Sequence, residues 1–576
     1  MPALRFAPPL VTVERRHDGS MVLRSPMTLG PCPPSLGHWL VQWSREAPDR
    51  VFLADRAGAS WRTVTFAEAF HAARTIGQAL LDRGLDGAHP VAILSDNSVD
   101  HALVALGAMH VGVPVVPISP AYSLVSTDHA KLKAIFRLVR PGLVFATDTA
   151  KFAPALEALE RESTPMAELL TASATAEVEK AFARVGPATL AKILFTSGST
   201  GEPKGVINTQ RMLTANQQML AQGWPFVEDR PPVVVDWLPW SHTFGGNHNF
   251  NLVLRNGGSL YIDGGKPAPG LIDTTVRNLR EIAPTMYFNV PRGFDLLLPF
   301  LESDAALRHK FFRHLDMLFY AGSALPQNLW QRIETLASAE HGRTPAMLSA
   351  WGSTETSPLA TQVHFAIDRA GVVGLPAAGC EIKLVPSAGK LEARVRGPHV
   401  TPGYFKNDGL TRAAFDDEGF YRIGDALRLA DPAAPSRGLV FDGRVAEDFK
   451  LTTGTWVHAG AVRLRLIAAG DPLIQDAVIT GHDRDDVGAL VFLSAAATGM
   501  EPAAIRERIA AALATLAGEP GGSSRCPVRA MVMTEALSID AGEITDKGYI
   551  NQRAVLERRA ALVGELYSGG PNVVRP

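Results

Sequence analysis

Short apolar runs alternate with longer, helix-like stretches over most of the chain. The clearest runs are Val91–Leu94, Val113–Ile118, Leu143–Phe145, Val233–Trp237, Met286–Val290 and Met317–Tyr320. Continuous apolar runs of this length are typical of parallel strands that are covered on both faces. The pattern therefore predicts an α/β fold, in which a large N-terminal region of parallel or mixed sheets is covered by helices.

One helix start is marked in more detail. Thr65 and Glu68 have the spacing of a capping box, in which each side chain bonds to the backbone of the other residue. The apolar residues that follow are spaced for one buried helix face: Phe66, Phe70, Ala73, Ile76 and Leu80. We therefore predict that a buried helix begins here.

The pattern changes near Asp442. Beyond it the sequence predicts a smaller α+β arrangement, with strands at Ile474–Gly481, Gly488–Ser494 and Val528–Met533 and a helix at Pro502–Leu516. A chain of 576 residues is also too long for one ordinary core. We predict a large N-terminal domain over residues 1–442 and a small, mobile C-terminal domain over residues 443–576.

The composition limits the classes of molecule that we expect the protein to bind. Hydrophobic residues make up 46% of the chain and the formal charge is −2, so nothing favours nucleic acid or an anionic membrane over small molecules. Cys32, Cys380 and Cys526 lie far apart and outside any CxxC spacing, which argues against a disulfide framework or a cysteine zinc site. The sequence has neither a signal-peptide pattern nor an apolar run of about 20 residues, and we expect a cytoplasmic protein.

A loop rich in glycine and hydroxyl groups follows the apolar run Ile193–Phe195. Ligands of open parallel sheets bind beyond the carboxyl ends of the strands, so chemistry is expected here. Glycines let backbone N–H groups approach closely, hydroxyls can donate to phosphoryl oxygens, and a lysine can neutralise charge. The spacing differs from a Walker A loop. We predict a phosphate cradle, with an exposed turn as the alternative, formed by Thr196, Ser197, Gly198, Ser199, Thr200, Gly201 and Lys204.

Six further motifs follow this loop in a fixed order. They are Tyr320–Pro326, Trp351–Thr356, Gly374–Pro376, Gly403–Tyr404, Tyr421–Asp425 and Gly443–Arg444. With them the chain resembles the adenylate-forming superfamily of acyl-CoA synthetases, luciferases and peptide-synthetase adenylation domains, and the resemblance covers most of its length. The stretches 442–457 and 542–549 look most like bacterial feruloyl-CoA synthases, which use hydroxycinnamic acids.

The resemblance implies a role for each motif in binding ATP. Thr354 is similar to the residue that contacts the α-phosphate, and Glu355 to the one that holds Mg²⁺. Asp425 and Arg444 are similar to the residues that bind the ribose. The glycine-rich segments similar to those lining the adenine and acyl pockets contribute Gly322, Ser323, Ala324, Ala350, Trp351 and Gly352.

The segment Trp237–Gly246 resembles the motif whose histidine or aromatic residue lies beside the acid carboxylate. His242 is therefore a candidate gate or positioning residue, and Phe244 a candidate contact of the acid. A histidine among aromatic residues can also be a structural side chain. With Gly322 and Ala350, these two residues complete the predicted acid pocket.

Two positions depart from the family pattern. Family members end with a glycine followed by a catalytic lysine, but here Gly542 is followed by Glu543. Lys547 is the nearest lysine, and it either supplies the same charge to the reaction or is an exposed residue of a hairpin turn. The usual hinge position holds Ala446, so we expect a neighbouring acid, either Glu447 or Asp448, to be the pivot instead.

The resemblance implies an ATP-dependent carboxylate–CoA ligase that works through an acyl-adenylate, with ATP, Mg²⁺ and coenzyme A. A hydroxycinnamic acid such as ferulate is the expected substrate. One alternative is a medium-chain acyl-CoA synthetase, which shares every ATP motif. Because the Gly-Lys pair is missing, a second alternative is a regulator that binds nucleotide or acyl-CoA and does not adenylate. A free carrier protein as acceptor and a luciferase-type oxidation are further alternatives. A homodimer would be unsurprising.

Overall fold

We describe the chain from a computed structural model. It describes residues 4–197, 202–268, 270–322, 325–342, 344–387, 389–519, 522, 524–545, 548 and 550–576, and the statements below concern these residues.

The strands are β1 (Thr12–Arg15), β2 (Met21–Arg24), β3 (Val51–Ala57), β4 (Ser60–Thr65), β5 (Val91–Leu94), β6 (Val115–Ile118), β7 (Leu143–Ala146), β8 (Leu190–Ser197), β9 (Pro203–Thr209), β10 (Val233–Asp236), β11 (Ser259–Ile262), β12 (Met286–Asn289), β13 (Met317–Tyr320), β14 (Ala346–Gly352), β15 (Leu359–Gln362), β16 (Val372–Pro376), β17 (Glu381–Ser387), β18 (Lys390–Arg396), β19 (Tyr421–Leu429), β20 (Leu439–Arg444), β21 (Phe449–Lys450), β22 (Trp456–Val457), β23 (Ile474–Thr480), β24 (Gly488–Leu493), β25 (Arg529–Val532) and β26 (Val573–Val574).

The helices are α1 (Gly37–Glu46), α2 (Phe66–Asp82), α3 (Val99–His110), α4 (Ala121–Leu124), α5 (Ala130–Val139), α6 (Ala153–Leu159), α7 (Met166–Leu169), α8 (Ala176–Arg184), α9 (Gln210–Gly223), α10 (Phe250–Arg255), α11 (Ile272–Glu281), α12 (Pro291–Ser303), α13 (Ala305–Phe312), α14 (Gln327–His341), α15 (Asp408–Ala413), α16 (Ala459–Ala469), α17 (Pro502–Ala517), α18 (Gln552–Arg558) and α19 (Ala560–Ser568).

Two sheets precede residue 445. The longer runs in the order β1-β2-β17-β18-β19-β20-β16-β15-β14-β13-β12-β10-β11-β3-β4, and its middle strands from β14 to β3 pair in parallel. The second runs in the order β7-β5-β6-β8-β9, and only its edge pair β8–β9 is antiparallel. Helices cover these sheets, and the predicted α/β class is confirmed.

Each predicted apolar run contains a strand, within two residues of the predicted bounds. The capping box is confirmed too, because the Glu68 N–H donates to Thr65 Oγ1 at 3.2 Å and the Thr65 N–H to Glu68 Oε2 at 2.8 Å. Both kinds of signal are local, so neighbouring residues were sufficient to reveal them. No described helix is long and apolar enough to cross a membrane.

The antiparallel half of the long sheet did not follow from the apolar runs. Strands β17 to β20 mix buried, half-buried and exposed residues, and β2 of the N-terminal hairpin pairs with β17. Charged side chains join these strands on one face: Glu381 accepts from Arg24 Nε at 2.6 Å and from Arg396 Nε at 3.0 Å. Arg24 lies 357 residues from Glu381, and this separation hides the pairing of β2 with β17 from a local pattern.

A smaller unit follows. Strands β23 to β26 form its sheet, and its core includes Val462 of α16 and Leu513 of α17. The α+β elements predicted for this part are present with bounds within one residue. Strand β20 of the long sheet ends at Arg444, next to the predicted boundary between residues 442 and 443, and the domain division itself stays a prediction.

Candidate active site

The hairpin β8–β9 carries the predicted phosphate cradle. Thr196 lies opposite Lys204, and Ser197 opposite Pro203. Gly198, Ser199, Thr200 and Gly201 lie outside the described residues, so the cradle stays a prediction for them. The described residues therefore place a hydroxyl residue, Thr196, opposite a cationic residue, Lys204, next to the predicted loop.

Lys204 also lies close to a buried tyrosine. Its Nζ is 5.8 Å from the centroid of the Tyr404 ring. The backbone places the two together, because the Ile207 N–H donates to Gly403 O at 3.2 Å and the Phe405 N–H to Gly205 O at 2.7 Å. The Gly403–Tyr404 motif therefore runs alongside β9.

The hydroxyl of the same tyrosine contacts Glu355. Tyr404 Oη donates to Glu355 Oε1 at 3.0 Å and lies 3.3 Å from Tyr421 Oη. Burial and the nearby carboxylate raise the pKa of Tyr404, so its phenol stays protonated and can donate. Lys204 and Glu355, predicted separately, thus meet on one side chain.

A short 3₁₀ turn over Thr354–Thr356 holds Glu355 in place. The Glu355 N–H donates to Ser353 Oγ at 3.2 Å, and the Ser353 N–H to Thr356 Oγ1 at 2.8 Å. The carboxylate is 8% exposed and Thr354 is 4% exposed. Among the described residues no group of three or more histidine, cysteine or acidic side chains could hold a metal. One carboxylate suits Mg²⁺, which in phosphate-binding sites takes its other oxygens from the substrate and water.

Asp425 has one satisfied oxygen and one unsatisfied oxygen. The Trp351 indole N–H donates to Oδ2 at 2.8 Å, whereas Oδ1 is buried without a hydrogen-bond partner among the described residues. Arg444 Nε lies 3.6 Å from Oδ1 and its side chain is 65% exposed. Burial raises the pKa of Asp425, and Arg444 opposes that shift. A buried acceptor of this kind fits a ligand hydroxyl, as the predicted ribose site requires.

The predicted acid segment forms a tight turn after β10. His242 Nδ1 accepts from the Phe244 N–H at 3.3 Å, which places the proton of a neutral ring on Nε2. Phe244 is buried, with its ring centroid 5.6 Å from that of Phe319. Residues Phe244–Asn249 form a π-helical turn, a rare geometry that is frequent at functional sites.

Two glycines permit this turn. A Cβ on Gly245 would lie 2.1 Å from Leu238 O, and one on Gly246 would lie 2.4 Å from Trp240 O. No side chain fits at either position without moving the backbone. The glycines therefore bring the turn against the segment that precedes His242.

The remaining pocket residues lie at the ends of neighbouring parallel strands. Gly322 follows β13 with a φ of +90°, and Ala350 is half-buried in β14. Gly352 ends β14, where an added Cβ would lie 1.8 Å from Pro358 O. Ser323 and Ala324 lie outside the described residues.

Lys547 also lies outside the described residues, but the loop that contains it is braced. Glu543 is fully buried and accepts from Arg559 Nε at 2.6 Å, from Arg558 Nη1 at 2.8 Å and from the Ser538 N–H at 3.0 Å. Burial opposes ionisation of Glu543, but these donors outweigh it and its pKa is lowered. Glu543, which follows Gly542 where the resemblance led us to expect a lysine, is therefore a structural anion.

The same loop contacts the large N-terminal part of the chain. Asp540 Oδ2 accepts from the Thr127 N–H at 3.0 Å and from Thr127 Oγ1 at 2.9 Å. Lys131 Nζ donates to Ile539 O. The sequence interpretation missed Asp540 and the bracing role of Glu543. An acidic residue at the usual lysine position was the one available signal.

Of the two hinge candidates, Asp448 makes the stronger contacts. It is paired with Lys390 Nζ of β18 at 2.5 Å and with His458 Nδ1 at 2.9 Å. Burial raises the pKa of Glu447. Ala446 lies between them and Arg444 in a 3₁₀ turn. The identity of the pivot stays a prediction.

Comparisons with known proteins give the context of this geometry. A family model described as "AMP-binding enzyme" matches residues 40–405, and one described as "AMP-binding enzyme C-terminal domain" matches residues 449–570. The medium-chain fatty-acid–CoA ligase of Escherichia coli (strain K12) is 27% identical over 69% of this chain and 70% of its own length. The chain spans 50% of the probable CoA ligase CCL8 of Humulus lupulus, at 24% identity over 52% of this chain.

Solved structures show the same fold. The anthranilate CoA ligase AuaEII in complex with anthranoyl-AMP superposes with a TM-score of 0.74 at 20% identity, and the alignment covers 93% of this chain and 99% of that one.

Proposed function

Because this chain belongs to the AMP-binding enzyme family, we propose that it is an ATP-dependent carboxylate–CoA ligase. It converts an acid, ATP and coenzyme A into acyl-CoA, AMP and diphosphate through an acyl-adenylate. The observation that carries this proposal is the meeting of Lys204 and Glu355 on the buried Tyr404. Tyr404 thus contacts both Lys204, a cation that can neutralise phosphate charge, and Glu355, a carboxylate that can bind a hard metal ion.

The first half-reaction needs these charges. A carboxylate resists attack by a thiol because its leaving group would be oxide, so it is first joined to AMP as a mixed anhydride. The acid oxygen attacks the α-phosphorus and diphosphate leaves, while Lys204 and the Thr196 hydroxyl stabilise the developing negative charge. We assign the contact with the α-phosphate to Thr354. Mg²⁺ held by Glu355 would supply further charge neutralisation on the phosphates.

The nucleoside is held by the second cluster. Asp425 Oδ1 is the buried acceptor that a ribose hydroxyl would satisfy, and the exposed Arg444 can close over it. Trp351 orients the carboxylate through its indole N–H. Gly322 leaves room for the adenine because it carries no side chain, whereas the missing side chain of Gly352 admits the Pro358 carbonyl.

The acid pocket supports an aromatic substrate, and we propose a hydroxycinnamic acid such as ferulate. Phe244 offers a ring face, Gly322 and Ala350 offer space, and His242 can orient the carboxylate. AuaEII, whose structure contains anthranoyl-AMP, handles an aryl acid on the same fold. The Escherichia coli relative is instead named for medium-chain fatty acids, so octanoate is the second candidate substrate.

We propose Lys547 as the lysine that reaches the reacting phosphate. Support comes from the residues on either side, because Ile544 pairs with Ile550 and the Asn551 N–H donates to Glu543 O at 2.8 Å. These contacts bring the described residues on the two sides of Lys547 together. In the second half-reaction the thiol of coenzyme A attacks the acyl carbon and AMP leaves, a step in which this lysine is not required.

The test is coupled measurement of diphosphate release and acyl-CoA formation from ATP, Mg²⁺ and coenzyme A, with ferulate and octanoate offered separately. We expect feruloyl-CoA from the wild type and at least a hundredfold slower adenylation after Glu355→Gln. Asp368→Asn is the matched control, because Asp368 is 74% exposed and pairs with Arg437, which takes no part in these contacts. Octanoyl-CoA alone would move the assignment to the fatty acid class. Absence of diphosphate release with any acid would favour the regulator.

A further inference from the structure

Lys192 is a buried lysine without a buried counter-charge. It lies in β8 with 6% exposure, and its Nζ donates to Gly246 O at 3.0 Å and to Asn247 Oδ1 at 3.3 Å. No carboxylate of the described residues pairs with it. Burial lowers its pKa to about 7. An ammonium has three N–H donors and a neutral amine has a lone pair, so either form retains capacity for one more polar partner.

The position of Lys192 relates it to the phosphate end of the site. In the hairpin β8–β9, Lys192 pairs with Asn208 and Thr196 pairs with Lys204. Side chains alternate along a strand, so all four share one face of the hairpin. Lys192 precedes Thr196 by four residues, which corresponds to about 13 Å along the strand. That span is comparable with the reach from the para oxygen of a phenylpropenoic acid to the α-phosphorus of its adenylate.

The predicted acid segment lies over the same face. Asn247 Nδ2 donates to Asn208 Oδ1 at 2.8 Å and to Thr243 Oγ1 at 3.1 Å. These bonds tie the π-helical turn, which begins two residues after His242, to the end of the hairpin that carries Lys192. His242 therefore precedes the turn whose middle residues contact Lys192.

Lys192 faces a small cavity of about 20 Å³. Its walls are mostly apolar and are made by α3, β6, β8, the turn and the start of α10, including Ala105, Met109, Val115, Gly246 and Phe250. A cavity of this volume holds about one water-sized group. The polar side chains in the lining are those of Lys192, His101 and Trp240, and so few polar groups in an apolar wall suit the single oxygen of an otherwise apolar molecule.

We propose that this cavity is the distal end of the acid site, where Lys192 binds an oxygen substituent on the ring of an aryl acid. The inference rests on the proposed function and narrows its substrate to acids with a hydroxyl far from the carboxylate. A neutral glutamine could donate to the same carbonyl groups and hold the turn. Burying a lysine costs free energy. A hydrogen bond between Lys192 and a ligand oxygen would offset part of that cost.

The test compares 4-hydroxycinnamate with cinnamate, which differ by one oxygen. The full-length enzyme is assayed with ATP, Mg²⁺ and coenzyme A, and kcat/KM is measured for acyl-CoA formation from each acid. We expect the wild type to prefer the hydroxylated acid by at least about tenfold, because unpaired polar groups penalise the analogue. Lys192→Met should lower kcat/KM for the hydroxylated acid at least about tenfold more than for cinnamate.

Gln217→Leu is the matched control. Gln217 Nε2 donates to Asn247 O at 2.9 Å and to His248 O at 3.1 Å, so its loss loosens the same turn without removing the nitrogen from the cavity. It should lower kcat/KM for both acids by the same factor. An equal loss on both acids after Lys192→Met would overturn the proposal and leave Lys192 a support of the turn.

Two further outcomes separate the inference from the function on which it rests. If the wild type makes both thioesters with a ratio below about threefold, the proposed function stands and the role of Lys192 is refuted, even if the methionine variant fails to fold. If the wild type makes neither thioester but activates another acid, the aryl assignment fails and the inference falls with it.

Discussion

Replacing Glu543 by glutamine keeps the shape of the side chain but removes a fully buried negative charge. Arg559 is 4% exposed and depends on this carboxylate, whereas Arg558 is 41% exposed and can turn to water. Losing one partner of a buried ion pair costs about 3–5 kcal/mol. Glutamine keeps one acceptor oxygen and Arg558 can be rehydrated, so we expect a loss of about 3 kcal/mol in the free energy of unfolding.

The loss should be local as well as global. The Ser538 N–H bonds to the Glu543 carboxylate and the Asn551 N–H to its carbonyl, so these two amides should exchange faster with solvent in the variant. Urea unfolding gives the free energy, and hydrogen exchange identifies the loop. Because this loop contains Lys547, diphosphate release should fall more than thioester formation from a supplied acyl-adenylate.

Glu535→Gln provides the matched control. Glu535 is 67% exposed and pairs with Arg558 at 3.2 Å, so its replacement should cost less than about 1 kcal/mol. The reasoning would be refuted if the free energies of unfolding of Glu543→Gln and the control differed by less than about 0.5 kcal/mol, the usual effect of a surface substitution. It would also fail if both half-reactions slowed by the same factor.

Three further results are expected. Lys547→Ala should slow diphosphate release by about a hundredfold or more in the coupled assay, and an unchanged rate would make it a surface residue. Asp425→Asn should weaken AMP binding by about ten- to hundredfold in calorimetry, because a charge-assisted bond to the ribose is lost, and equal affinity would exclude that contact. The folded-state pKa of Glu543 is lowered, so its stabilisation is present above the unfolded pKa of about 4.3 and is lost as pH falls through the folded value. The stability difference between wild type and Glu543→Gln should therefore shrink on acidification, and a constant difference in urea unfolding would contradict the assignment.

Local sequence signals located the strands and the loops that follow them, since a buried strand is apolar whatever its partner. They also located Lys204, Glu355 and Asp425 as separate motif residues. Which of them meet is a property of the fold: Tyr404 lies 200 residues from Lys204 and 49 from Glu355, and it joins the two. No pattern within one segment indicates that contact.

Two charged residues at unexpected positions indicate contacts that the motifs did not predict. Lys192 interrupts the apolar run of β8, and Glu543 occupies a position where the family has a lysine. Neither observation can be interpreted until the groups that contact each residue are known. Once they are, the same physical rule explains both residues, because a buried charge must be balanced by what surrounds it. Two arginines balance Glu543, which makes it part of the scaffold. Lys192 is met by one carbonyl and one amide, and this difference assigns it to the substrate instead.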